Sequence, residues 1–129
     1  MKEEFIKKYN NHEYISNDLY LNVLANYSGA VHSNFNIDTY NDIVLEKLYL
    51  LNKDYFDNFY KDIDPNIKLD KEQCKAILSD EKYSLIIAGA GTGKTTTMAS
   101  KVKYLVEKKN ILPERILVLS YTRKATEEL

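Results

Sequence analysis

The feature that most constrains this sequence is a glycine-rich stretch, I-I-A-G-A-G-T-G-K-T-T-T, at residues 86–97. Its three glycines keep bulky side chains away from the backbone, so the loop can turn tightly and approach a ligand closely. Several backbone N–H groups that converge at the start of a helix, where the dipole favours negative charge, form a phosphate site. The stretch therefore predicts a phosphate-binding loop.

The stretch fits the pattern G-x-x-x-x-G-K-[ST], with Ala88 in place of the first glycine. We expect Lys94 to reach the β- and γ-phosphates of ATP and the Thr95 hydroxyl to coordinate Mg²⁺, which makes them the candidate catalytic residues. The predicted nucleotide-binding residues of the loop are Ala88, Gly89, Ala90, Gly91, Thr92, Gly93, Lys94, Thr95 and Thr96. The alternative is a flexible Gly-Thr turn that happens to contain a lysine.

Apolar residues recur at helical spacing in the first sixty positions, over residues 19–27 and again over residues 44–59. The segment D-I-D-P-N-I-K around Pro65 interrupts this periodicity and predicts a domain boundary. We therefore expect a helical N-terminal region, 1–65, and a second region, 66–129. The tyrosines of the first region are expected to pack with hydrated hydroxyls rather than to form a base-stacking surface.

The second region has the pattern of an α/β fold. Asp70 is a candidate cap for a helix that ends near Leu78. The short apolar segments 84–88 and 116–120 predict buried strands, and a helical stripe over residues 98–106 lies between them. A strand, a helix and a second strand in this order predict a parallel βαβ unit.

Charge and composition narrow the functional classes. Residues 1–68 contain seven Lys and no Arg against eleven acidic residues, whereas residues 69–129 contain eleven basic residues against eight acidic ones. This difference favours binding of a polyanion by the second half. The alternative is that both halves have solvated faces with a chance bias in charge. The sequence shows neither a long apolar run nor a charged-then-apolar leader at Met1, and Cys74 is its one cysteine. These features predict a cytoplasmic protein with no membrane contact and no zinc site.

Three sequence blocks together resemble the superfamily 1 DNA helicases of the UvrD/Rep-like group, nearest the helicase IV-like branch. They are L-D-K-E-Q at residues 69–73, the glycine-rich stretch, and I-L-V-L-S-Y-T-R-K-A-T-E-E-L at residues 116–129. They match the Q motif, motif I and motif Ia of that family in order and spacing. The resemblance implies an ATP-dependent DNA helicase, in which a helical N-terminal region precedes the incomplete start of a RecA-like P-loop domain.

The resemblance also assigns roles outside the loop. Gln73 would contact the adenine of ATP through its side-chain amide. From the residues alone, Asp70 followed by Gln73 is equally typical of a capping box that closes a helix start. By resemblance, the residues that would contact single-stranded DNA are Ser120, Tyr121, Thr122, Arg123 and Lys124. Arg123 and Thr126 stand where relatives usually carry asparagine and alanine.

Hydrolysis needs parts that these motifs do not supply. A P-loop NTPase also uses an acidic Mg²⁺ ligand and an arginine at the γ-phosphate, and family order places both beyond residue 129. We therefore expect the remainder of a helicase chain as a partner and no ATPase activity from these 129 residues alone. The alternatives are a P-loop NTPase that is not a helicase, or an interaction module whose N-terminal helices bind a protein partner while the P-loop is vestigial.

Overall fold

The computed structural model describes residues 1–87 and 93–119, and the chain forms two units, Met1–Leu85 and Ile86–Leu129. The first unit continues past the boundary expected at residue 65, which stays a prediction. The α-helices of the described residues are α1 (Lys2–Asn10), α2 (Asn17–Asn26), α3 (Ile37–Leu51), α4 (Lys53–Asp57), α5 (Lys71–Leu78) and α6 (Lys94–Glu107). Short 3-10 helices occur at Ser28–Ala30 and Pro113–Arg115.

The predicted α/β fold, with the parallel βαβ start of a RecA-like domain, is wrong. Every regular element in ranges 1–87 and 93–119 is a helix, and residues 84–87 and 116–119 form no strand. A strand needs a neighbour that pairs its backbone, and a parallel sheet also needs cover on both faces. The apolar side chains lack such cover, since Leu85 is 84% exposed and Leu117 is 81% exposed. Ala88 and Ser120, the last residues of the two predicted strands, lie outside the described residues.

The N-terminal helices begin at polar caps and end where the apolar pattern fails. The Ser16 hydroxyl accepts a hydrogen bond from the Leu19 N–H at the start of α2, which confirms the pattern over residues 19–27 as a helix. The longer pattern over residues 44–59 is not one helix, because α3 ends at Leu51 and α4 follows Asn52. The Asn52 side chain donates to the Leu48 carbonyl oxygen at 2.8 Å, a local bond that competes with helix continuation.

The core of the first unit is built from buried apolar residues and half-buried aromatic rings. Phe5, Ile15, Leu19 and Val23 form a buried cluster, with further rings packed against it. Among these rings Tyr40 stacks on Tyr9 with 5.6 Å between centroids, and the Tyr40 hydroxyl donates to the Glu13 carbonyl oxygen at 2.8 Å. These rings confirm the prediction that tyrosines pack here, but the Tyr40 hydroxyl bonds to a backbone carbonyl oxygen where a hydrated hydroxyl was expected.

One buried amide joins α3 to the segment that precedes α2. The Ile15 N–H donates to Asn41 Oδ1 at 3.0 Å, and Asn41 Nδ2 donates to the Ile15 carbonyl oxygen at 2.7 Å. Asn41 is 7% exposed and Ile15 is fully buried, so neither backbone group of Ile15 has ready access to water. The Asn41 side chain therefore satisfies both backbone hydrogen-bonding groups of Ile15, as a backbone partner would in a helix or sheet.

Helix α5 packs against α3 within the first unit. It buries Cys74, Ile77 and Leu78, while α3 buries Val44 and Leu45. The predicted cap at Asp70 and the predicted end near Leu78 are both confirmed. The matched sequence blocks thus begin on a helix that is anchored to the N-terminal helices.

In the second unit, α6 is the main described element. Its presence confirms the helix predicted to follow the glycine-rich stretch. The buried residues are Thr97, Ser100 and Tyr104 and not the apolar side chains of the predicted stripe, since Met98 is 48% exposed. After α6 the chain turns through Asn110, whose φ of 55° lies in the left-handed region that asparagine tolerates. None of the helices in the described ranges is long and apolar enough to cross a membrane.

The Asn41 bridge provides a test of this packing. Replacing Asn41 with alanine leaves both buried backbone groups of Ile15 without their partner, and each such group costs about 1–3 kcal/mol. We expect Asn41→Ala to lower the free energy of unfolding by about 2–4 kcal/mol, measured by urea denaturation. Asn26→Ala is the matched control, because exposed Asn26 bonds only locally to Asn22 and its loss should change stability by less than about 0.5 kcal/mol. Equal effects of the two variants would contradict this assignment.

Candidate functional site

The start of α6, in the second unit, is one candidate functional site. Gly93 is the N-cap residue, with φ 87° and ψ 29°, a left-handed conformation that glycine adopts without a Cβ penalty. The N–H and the hydroxyl of Thr97 both donate to the Gly93 carbonyl oxygen at 2.9 Å. These contacts fix where the helix begins, so Lys94, Thr95 and Thr96 form its first turn.

The first turn of α6 has the charge pattern of an anion site. Gly93 has no side chain with which to cap the helix, and the first turn contains no acidic residue. Lys94 is exposed, and the salt bridges found within the described ranges do not involve it. Backbone N–H groups at a helix start, together with an ammonium group, favour a bound anion. This geometry can receive a phosphate group, and it places three predicted residues on one helical turn.

Other predicted site residues cannot be placed. Residues 88–92, the first part of the predicted phosphate loop, lie outside the described residues. The same is true of residues 120–124, the predicted contacts to single-stranded DNA. The roles of both groups therefore stay predictions. A metal cluster of three or more His, Cys, Asp or Glu side chains does not occur in ranges 1–87 and 93–119, and the Mg²⁺ role of Thr95 also stays a prediction.

Gln73 lies on α5 and takes part in a capping box with Asp70. The Gln73 N–H donates to Asp70 Oδ1 at 2.8 Å, and the Asp70 N–H donates to Gln73 Oε1 at 2.9 Å. The capping-box interpretation is therefore confirmed, whereas the adenine contact stays a prediction. The two roles are compatible, because an amide oxygen has two lone pairs and can accept a second hydrogen bond.

Glu46 on α3 is a residue near Gln73 that the sequence did not indicate. Its carboxylate accepts hydrogen bonds from Lys71 through Oε1 and from Lys75 through Oε2, the latter at 2.7 Å. Hydrogen bonds from the two lysines lower the pKa of Glu46, and the bond to Glu46 raises the pKa of Lys75. The Glu46 carboxylate and the Lys75 ammonium are therefore both charged near neutral pH. One glutamate in an acidic helical segment gives no sequence signal for such a role.

Glu81, just after α5, is the second residue that sequence patterns missed. The Tyr14 hydroxyl donates to Glu81 Oε1 at 2.6 Å, and the Asn17 N–H donates to Glu81 Oε2 at 2.9 Å. Burial and the neighbouring Glu81 carboxylate raise the pKa of Tyr14, so its hydroxyl keeps its proton and remains a donor. The partners are more than sixty positions apart in the chain, so no local pattern could pair them.

Cys74 follows Gln73 on α5 and is buried. Burial, with a smaller contribution from Asp70, raises the pKa of the thiol to about 11. A protonated, buried thiol is a poor nucleophile. Cys74 is therefore a packing residue of the helix that carries Gln73.

Comparison with known proteins matches mainly the second half of the chain. Residues 69–129 match the family of the UvrD/REP helicase N-terminal domain. A probable DNA helicase II homologue of Mycoplasma capricolum subsp. capricolum is 48% identical over 61 residues, which is 47% of this chain and 8% of that protein. The ATP-dependent DNA helicase PcrA of Staphylococcus epidermidis is 38% identical over 61 residues, 47% of this chain and 8% of the relative.

A third relative reaches slightly further towards the N-terminus. DNA helicase IV of Escherichia coli is 33% identical over 72 residues, which is 56% of this chain and 10% of that protein. The aligned part of the chain thus spans about a tenth of the length of these curated relatives. No solved structure matches the chain significantly.

The left-handed Gly93 provides a test of the helix start. An added Cβ in the left-handed region costs about 1–2 kcal/mol, so Gly93→Ala should destabilise the first turn of α6 by that amount. Hydrogen–deuterium exchange of peptides from residues 94–107 measures the effect. Gly29→Ala is the matched control, because an added Cβ at Gly29 meets no atom within 4 Å and Gly29 has no positive φ. Unchanged exchange in Gly93→Ala would contradict the left-handed cap.

Proposed function

We propose that this chain provides the nucleotide-binding segment of an ATP-dependent DNA helicase. The proposal rests on the match of residues 69–129 to the UvrD-like superfamily 1 DNA helicases. The activity would be ATP-driven translocation on single-stranded DNA with strand separation, performed together with the remainder of a helicase chain. The observation that carries the proposal is the start of α6. There, a left-handed glycine without a capping side chain precedes Lys94 at the helix N-terminus.

The proposed ligand of this helix start is the triphosphate of ATP with its Mg²⁺. The ammonium of Lys94 would contact the β- and γ-phosphates, and the Thr95 hydroxyl would bind Mg²⁺. The backbone N–H groups of the first turn, with those of residues 88–92, would bind the remaining phosphate oxygens. The absence of acidic residues from the first turn supports this proposal, because a carboxylate there would repel the phosphates.

Gln73 is proposed to contact the adenine of the nucleotide. Its amide offers both a donor and an acceptor, the pair that the N6 and N7 edge of adenine requires. The capping box supports this role because it holds Oε1 at a defined position beside Asp70. The acidic Mg²⁺ ligand and the arginine that hydrolysis needs are proposed to come from the remainder of a helicase chain.

Residues 120–124 are proposed to contact single-stranded DNA. Tyr121 would stack on a base, and Arg123 and Lys124 would contact backbone phosphates. The positive charge balance of residues 69–129 supports a polyanionic partner for this half of the chain.

Loss of the Lys94 charge tests the nucleotide site. A hydrogen bond to a charged group contributes about 1.5–3 kcal/mol, so Lys94→Ala should weaken Mg·ATP binding by roughly tenfold or more. Isothermal titration calorimetry of the 129-residue chain measures the affinity. Lys109→Ala is the control, because it removes an exposed lysine outside the proposed loop. The proposal is wrong if Lys94→Ala and Lys109→Ala bind Mg·ATP as tightly as the wild type.

The proposed DNA contact is tested with the double variant Arg123→Ala/Lys124→Ala. Removing two phosphate contacts should weaken binding to oligo-dT and reduce the salt slope of log K by about one to two. Fluorescence anisotropy over a range of salt concentrations measures both quantities. Lys108→Ala/Lys109→Ala removes the same charge after the end of α6. An equal loss of oligo-dT affinity in the two double variants would contradict the proposed contact, because it would show that binding depends only on the net charge of the chain.

A further inference from the structure

Helix α5, which carries Gln73, is held by residues that the family match does not include. The matched segment begins at residue 69, whereas α3 and the segment before α2 belong to the first 68 residues. Two carboxylates make the connections: Glu46 lies before the matched segment, and Glu81 lies within it. Glu46 reaches forward from α3 to α5, and Glu81 reaches back from the end of α5 to the N-terminal segment.

The first connection flanks Gln73 directly. Glu46 uses one carboxylate oxygen for Lys71 and the other for Lys75. These lysines lie two residues before and two residues after Gln73. The bonds therefore act on the helical turn that contains Gln73. The apolar contact between α3 and α5 fixes the distance between the helices, and the two ion pairs fix how far α5 can rotate or slide along α3.

The second connection holds the chain directly after α5. Glu81 accepts from the Tyr14 hydroxyl and from the Asn17 N–H at the start of α2. Tyr14 is part-buried in this contact, and Ile15 next to it is fixed by Asn41. The segment that leaves α5 is thus tied to the core of the first unit.

We infer that the N-terminal helices position α5 for nucleotide recognition, with Glu46 and Tyr14 as positioning residues that act through Gln73. The inference rests on the proposed nucleotide function, and in particular on the adenine contact of Gln73. It gives residues 1–68, which the family match does not include, a role in base selectivity. Exposed ion pairs contribute little to global stability, so loss of Glu46 should misplace Gln73 without unfolding the chain.

The test compares ATP with GTP, which share the sugar and phosphates and differ in the base. The wild-type 129-residue chain should bind Mg·ATP more tightly than Mg·GTP. Glu46→Gln and Tyr14→Phe should reduce this preference by about threefold or more, the scale of one hydrogen bond. Gln73→Glu is the reference for complete loss of the amide, because glutamate keeps the capping box but has no side-chain N–H.

Two matched controls separate positioning from general damage. Asp57→Asn removes a carboxylate that pairs with Lys53 within α4, and Tyr27→Phe makes the tyrosine change on a ring that is 48% exposed. Both should keep the ATP preference.

Hydrogen–deuterium exchange of residues 71–78 should accelerate in Glu46→Gln and Tyr14→Phe but not in the controls. Reversing the charges of Glu46, Lys71 and Lys75 together should restore the preference and slow the exchange again.

The outcomes distinguish the inference from the function on which it rests. If the wild type prefers ATP and Glu46→Gln and Tyr14→Phe keep that preference, the inference is overturned while the nucleotide function stands. If the wild type binds both nucleotides equally, the adenine role of Gln73 and the inference are overturned, and phosphate binding stands. If neither nucleotide binds, the proposed function and the inference are both overturned.

Discussion

The burial of one face of α5 against α3 is the constraint on which the candidate site depends. An isolated helix of eight residues is not stable in water, because the cost of nucleation exceeds the gain from so few hydrogen bonds. Helix α5 therefore exists because Cys74, Ile77 and Leu78 are buried. The position of Gln73 follows from that packing, since Gln73 lies on α5 and its partner Asp70 is the N-cap residue of the same helix. The position of Gln73 therefore depends on tertiary packing as well as on the local sequence motif.

Local rules predicted the helical parts of the chain well. Asp70 caps α5 as expected, and the apolar spacing over residues 19–27 corresponds to α2, because both signals depend on neighbours within four positions. The division at Asn52 was missed, since an asparagine within an apolar pattern does not reveal that its side chain will bond to Leu48. The confirmed family resemblance also came from a local signal, three short sequence blocks in order.

Non-local structure could not be predicted in the same way. The predicted strands failed because a strand is defined by the segment that pairs with it, and the apolar residues of 84–87 and 116–119 carry no information about that partner. The contacts of Glu46 with Lys71 and of Glu81 with Tyr14 join residues 25 and 67 positions apart. Such residues become neighbours only when the chain has folded, so no local sequence pattern pairs them. The sequence therefore indicated the candidate residues Gln73 and Lys94 but not the residues that hold α5 in place.

The observed capping box of Gln73 and its proposed contact with adenine are compatible with each other. A glutamine that contacts a base must lose side-chain freedom when the ligand binds, and this loss weakens the interaction. In the capping box, Gln73 Oε1 already accepts from the Asp70 N–H, so part of that freedom is lost when α5 folds. The ion pairs of Glu46 restrict the freedom of the whole helix in the same way, because they join α5 to α3. The capping box therefore does not compete with the proposed adenine contact, because it already restricts the side chain that would make that contact.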